Sequence, residues 1–110
     1  MAATSLGNAI EGSTYVVTAA FTDEDGDAVT PNTVTWTLTT TNGTVINSRE
    51  DVSITPGTSV DIVLSGDDLA VGSNGRYRIL TVEAAYDSSY GSGLPLKARC
   101  TFEIENLVAV

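Results

Sequence analysis

The sequence predicts an all-β chain folded as a two-sheet antiparallel β-sandwich of seven to eight short strands. Three observations carry that expectation. Apolar side chains recur with period two, and threonine, valine and isoleucine, which favour extended backbone, run through the whole chain. Gly, Pro, Asn and Asp interrupt the alternation roughly every 8–12 residues. No window carries the 3.6-residue apolar stripe of an amphipathic helix. The 110 residues suit a single domain, 1–110, and are too few for two independent cores.

Tyr15, Val17, Ala19 and Phe21 alternate with Val16, Thr18, Ala20 and Thr22, which predicts a strand with its first set facing inward. The acidic turn Asp23-Glu24-Asp25-Gly26-Asp27 ends it. Val34, Trp36 and Leu38 alternate with Thr33, Thr35, Thr37 and Thr39, the clearest half-buried strand in the chain. Asn42-Gly43 reads as a tight hairpin turn, since both residues tolerate positive φ, and Thr44 to Asn47 as the return strand. Val52 and Ile54 make a short strand stopped by Pro56-Gly57. Val60, Ile62 and Leu64 alternate with Ser59, Asp61 and Val63.

Gly66 to Gly75 carries three glycines and reads as a connection with one helical turn. Leu80, Val82, Ala84 and Tyr86 then face the core from a long strand, and Asp87 to Pro95 reads as a Ser/Gly-rich loop. Ala98, Cys100, Phe102 and Ile104 alternate with Arg99, Thr101, Glu103 and Glu105 in the last strand. The central hairpin and the two long final strands suit an immunoglobulin-like order, with Trp36 as the core aromatic between the sheets. A closed barrel of the OB type is the alternative, although it uses fewer and longer strands.

Fourteen acidic residues against five basic ones leave a net charge of −9. A surface this acidic repels phosphate, so neither nucleic acid nor an anionic membrane is an expected partner. The charge has two readings: docking to a basic surface, and colloidal solubility, which composition alone favours. The longest apolar runs are only a few residues, too short for a membrane-spanning helix. Residues 1–10 have neither the basic nor the apolar region of a secretory signal. Synthesis in the cytoplasm is expected, with any passage outside by lysis or within a particle. The single cysteine agrees with that and excludes an intrachain disulfide.

No enzymatic role is expected. With no histidine, the usual serine and cysteine triads lack their base and a Cys/His zinc site cannot form. Lys97, the only lysine, has no motif that would make it part of a Ser-Lys dyad. The paired carboxylates lie in turns or alternate outward on strands, where glycosidase-type tuning has no basis. Gly72 to Gly75 precedes a strand instead of a helix, so it is not a phosphate-binding loop. No cofactor is implied.

The acidic turn is the sharpest candidate for metal. Asp23, Asp25 and Asp27 alternate as the ligands of a calcium loop begin, but the glycine is fourth and the twelfth position is Val34, not glutamate. A turn in which Asp and Gly satisfy the backbone is the favoured reading, with the three aspartates kept as weak metal candidates. Cys100 reads as a small core residue. Tyr90 lies in a Tyr/Ser/Gly mixture typical of adaptable binding loops, or is the aromatic lid of an ordinary hairpin. Arg99 is expected opposite Glu83, a surface pair worth little.

Asp23 to Pro31, Thr33 to Leu38 and Tyr86 to Lys97 together resemble small immunoglobulin-like proteins encoded among the structural genes of tailed bacteriophages and prophages. The resemblance covers most of the chain, but its motifs are structural and none marks a site. It implies a virion component, made in the host cytoplasm: a decoration protein on the capsid, or an accessory subunit of tail or neck. Partners would be other virion proteins, further copies of the chain, or, in an adhesion module, host surface glycans. A glycan platform would have to be built around Tyr90 and Tyr77, because the chain has only one tryptophan, four tyrosines and two phenylalanines. The expected interface residues are Tyr90 and Leu94 in the loop, and Leu107, Val108 and Val110 in the apolar tail. The tail and Ala2 to Ile10 are expected against partner chains.

Overall fold

The computed structural model describes residues 2–4 and 7–107. Among the described residues eight strands form two sheets: β1 (Ala2–Thr4), β2 (Ala9–Ile10), β3 (Thr14–Ala20), β4 (Thr33–Thr39), β5 (Val52–Ile54), β6 (Ser59–Ser65), β7 (Tyr77–Ser88) and β8 (Gly91–Glu105). One sheet has the order β1-β3-β6 and the other β2-β8-β7-β4-β5. The all-β, two-sheet expectation is met. The expected helical turn after β6 is a pair of 3-10 turns, at Gly66–Leu69 and Gly72–Asn74.

Period-two alternation becomes burial. Tyr15, Val17 and Ala19 of β3 and Val60, Ile62 and Leu64 of β6 face Val34, Trp36 and Leu38 of β4, with Leu80, Val82 and Ala84 of β7, in one apolar cluster. Trp36 is only 7% exposed, and Tyr15 meets Phe102 of β8 with ring centroids 4.7 Å apart. Cys100 is buried, as its face predicts. The outward residues of β3 and β6 include Val16 and Val63, which pair across the strands and stay exposed.

Four expectations change. Ala2 to Ile10, expected against partner chains, supplies two strands to this molecule: Ala2–Thr4 is β1, antiparallel to β3, and Ala9–Ile10 is β2, parallel to β8. The Asn42-Gly43 turn forms, with Gly43 at φ 88 and its N–H on the Thr40 carbonyl at 3.1 Å. The return strand after it does not, because only Val45 bridges Thr39 and the backbone turns left-handed at Asn47 and Ser48. The partner of β4 on that side is β5 instead, Trp36 opposite Val52.

The predicted loop at 87–95 is mostly sheet: β7 runs to Ser88 and β8 starts at Gly91, with a bulge between the Tyr86 and Ser88 pairs. Pro95 tolerates the strand because its nitrogen faces the side of β8 away from β7, where among the described residues β2 pairs only Ile104 and Glu105. Ile104 N–H bonds the Arg76 carbonyl beside β7, while the Glu105 carbonyl accepts from Glu11 on the other side. Odd residues of β8 therefore turn their backbone groups away from β7, where a missing N–H costs no ladder bond. This register also corrects the expected ion pair. Glu83 faces Lys97, at 3.9 Å, while Arg99 faces Thr81.

Candidate functional site

The β3–β4 connection and the β7–β8 hairpin meet at one end of the sandwich, since Ala20 ends β3, Thr33 begins β4 opposite Ala85, and the hairpin turns at Ser89 and Tyr90. In the acidic turn, Asp23 Oδ1 accepts the N–H groups of Asp25 at 2.9 Å and Asp27 at 3.0 Å. The Asp23 N–H donates to the Asp27 carbonyl at 2.8 Å, and Gly26 N–H to the Asp23 carbonyl at 3.1 Å. This is a side chain substituting for backbone, the chemistry that makes Asp a turn residue. Carboxylate oxygens of Asp23, Asp25 and Asp27 lie within 4.8 Å of one another, but one of Asp23's is committed to holding the turn.

The residue that joins the turn to the hairpin is Glu24. Its Oε1 accepts the Ser88 hydroxyl at 2.6 Å and the Tyr86 hydroxyl at 3.4 Å. Ser88 Oγ in turn accepts the Tyr90 N–H at 3.1 Å, and Asp87 Oδ1 accepts the Gly93 N–H at 2.8 Å. The hairpin tip is thus tied down at both arms. Tyr90 itself stands 75% exposed, above a concavity of about 400 Å³ lined by Glu24, Asp25, Tyr86, Tyr90 and Leu94. Burial raises the Tyr86 phenol's pKa above its ordinary value, and the neighbouring Glu24 carboxylate pushes it the same way.

The expected site residues therefore divide. Tyr90 and Leu94 share this end with Asp23, Asp25 and Asp27. Leu107 lies beyond the far end of β8, exposed, its N–H donating to Glu11 Oε1 at 3.2 Å. Val108 and Val110 lie outside the described residues. Tyr77 begins β7 and Tyr90 follows its end, on the order of 40 Å away at the rise of an extended strand, so the two cannot form one aromatic platform. Tyr86, not Tyr77, is the second aromatic beside Tyr90.

Charges at the opposite end are used differently. Asp68, 1% exposed, accepts from Arg49 Nε at 2.8 Å, Asn47 Nδ2 at 2.9 Å and Ser65 N–H at 3.1 Å. Burial acts to raise its pKa, but these three donors outweigh it and hold the carboxyl below its ordinary value. Arg78 is fully buried and donates to the carbonyls of Ala70 at 2.7 Å, Gly75 at 2.9 Å and Tyr77 at 3.0 Å. Burial alone lowers its pKa. Both groups organise the connection between β6 and β7. Sequence reasoning singled out neither, nor Glu24, although Arg78 continues the inward alternation of Leu80, Val82 and Ala84.

Compared with protein-family models, curated proteins and solved structures, the chain matches none. No helix among the described residues is long and apolar enough to cross a membrane.

Proposed function

We propose that this protein is a non-catalytic structural subunit of a tailed-phage virion, an immunoglobulin-like domain that docks on other virion proteins through its hairpin end. The strand order supports the immunoglobulin-like part. β1, β3 and β6 stand where strands A, B and E stand in that fold, and β4, β7 and β8 where C, F and G stand. The N-terminal segment passes from one sheet to the other, and Trp36 sits in the core on the strand in the C place.

One observation carries the docking role. A large exposed aromatic, Tyr90, is fixed on a hairpin that Glu24 pins to the neighbouring loop. Rigid, exposed aromatics give contact area at low entropic cost, the property that concentrates binding energy in few residues. Assembly in the host cytoplasm followed by incorporation in the particle fits this reading. Labelling purified particles with an antibody to the chain, imaged by electron microscopy, should decorate capsid, neck or tail at regular positions. Particles free of the protein would end the virion reading.

A second reading, an adhesion module for host surface glycans, draws on the same concavity, in which two tyrosines adjoin the carboxylates of Glu24 and Asp25. Sugars stack on aromatic faces and donate hydroxyls to carboxylates. A glycan array probed with the wild type and Tyr90→Ala discriminates: saturable binding lost in the variant favours adhesion, and no bound glycan removes it.

A further inference from the structure

We infer that the concavity between the acidic turn and the hairpin is a socket for a basic side chain, an arginine foremost, presented by a partner protein with a basic surface. The inference rests on the reading of this end as the docking end and adds the chemistry of the occupant.

The walls are of two kinds. Tyr86, Tyr90 and Leu94 supply apolar and aromatic surface, and Glu24 and Asp25 supply carboxylates. A guanidinium suits both, since it is planar, weakly hydrated, stacks on aromatic faces and pairs with carboxylates through a fixed fork of donors.

The Glu24 carboxylate is held before any partner arrives. Glu24 Oε1 takes the hydroxyls of Ser88 and Tyr86, and the Asp25 carboxylate lies beside it on the exposed side of the turn. Glu24, which lines the concavity, therefore has one carboxylate oxygen anchored to the hairpin. Holding a carboxylate in place beforehand removes an ordering cost from binding.

Charge complementarity selects the occupant. Asp23, Glu24, Asp25, Asp27 and Asp87 crowd this end, and none of the five basic residues of the chain lies in the turn or in residues 86–94. Arg49, Arg76 and Arg78 belong to the opposite end, and Lys97 already faces Glu83. An anionic ligand would be repelled here. A second copy, bringing its own charge of −9, would meet the same repulsion. A basic partner surface would be steered toward this end, and its binding would weaken with salt.

The test uses the full chain labelled with nitrogen-15, titrated with N-acetyl-arginine methylamide and with the citrulline analogue, which has the same shape without the charge. The arginine amide should shift the amides of Glu24, Asp25, Ser88, Tyr90 and Leu94 saturably, with a Kd on the order of millimolar for so small a probe. The citrulline analogue should bind at least about five-fold more weakly. Tyr90→Ala and Asp25→Asn, both at exposed positions, should each weaken the arginine amide about three-fold or more while leaving the rest of the spectrum in place. Equal shifts from the citrulline analogue overturn the inference, as do shifts spread evenly over Asp61, Asp67 and Glu103. Particle binding measured in parallel separates the two layers of the reading. Loss of particle binding in Tyr90→Ala without an arginine response sinks the socket and leaves the docking end. An arginine response with unaltered particle binding keeps the socket and sinks the docking end.

Discussion

The two ends of the sandwich both concentrate charge, and they use it in opposite ways. At the β6–β7 end, Asp68 and Arg78 are buried, and each is ringed by partners of its own chain: three donors around the carboxylate, three carbonyls around the guanidinium. At the hairpin end most of the charges are exposed, and Asp23, Glu24 and Asp87 shape the turn and pin the hairpin. A buried charge is costly to desolvate, and here both are held by partners of the chain itself, where they shape the connection between β6 and β7. An exposed carboxylate held by one oxygen remains able to meet something else. The comparison separates charge already committed within the fold from charge that is ordered and still exposed.

Substitutions should separate the ends. The largest effect is expected for Asp68→Ala, which leaves the Ser65 N–H and the Arg49 and Asn47 side chains without their acceptor. Its urea midpoint should fall by the equivalent of about 3 kcal/mol. A loss near zero would make the β6–β7 end as tolerant as the other. Arg78→Met keeps an apolar stem but strips three carbonyls of their donors. A loss of about 2 kcal/mol is expected in the same assay. Arg78 Nε has no partner among the described residues, so the native guanidinium is itself incompletely satisfied, which keeps the expected cost below that of Asp68→Ala.

Acid should reach the β6–β7 end through Asp68. Its folded-state pKa lies below the ordinary value of about 3.9, so its stabilisation is complete above that pH and is lost as pH falls through the folded pKa. Melting temperatures measured from pH 6 to pH 2.5 should drop below about pH 4, and Asp68→Asn should flatten part of that drop. An unchanged slope in the variant would place the acid-sensitive group elsewhere. At the hairpin end the smallest effect is expected: Tyr90→Ala should alter stability by no more than about 0.5 kcal/mol, because the side chain is mostly in water. A larger loss would make Tyr90 part of the structure instead of a contact residue.

The strands were legible because period-two alternation is a local signal, and Trp36, Cys100 and the inward faces of β3, β4, β6 and β7 follow from it. The ends were not, because their contacts are distant in sequence. Glu24 bonds residues 62 and 64 positions away, and nothing near it announces Tyr86 or Ser88 as partners. The Glu83 pairing failed for a related reason. Its register depends on where the hairpin turns, and composition made residues 87–95 look like loop when only Ser89 and Tyr90 turn. At Asn47 and Ser48, a run with strand-like flanks gives way because Asn47 and Arg49 are drawn to the buried Asp68, 21 and 19 residues further on.

Hydrogen exchange on the free protein and on the protein bound to purified particles tests the central claim most directly. The account predicts added protection at the backbone amides of Asp23 to Asp27 and of Ser88 to Leu94, with Gly66 to Arg76 unchanged. Protection confined to Gly66 to Arg76 or to the open edge of β6, with the hairpin end exchanging as in the free protein, would contradict it.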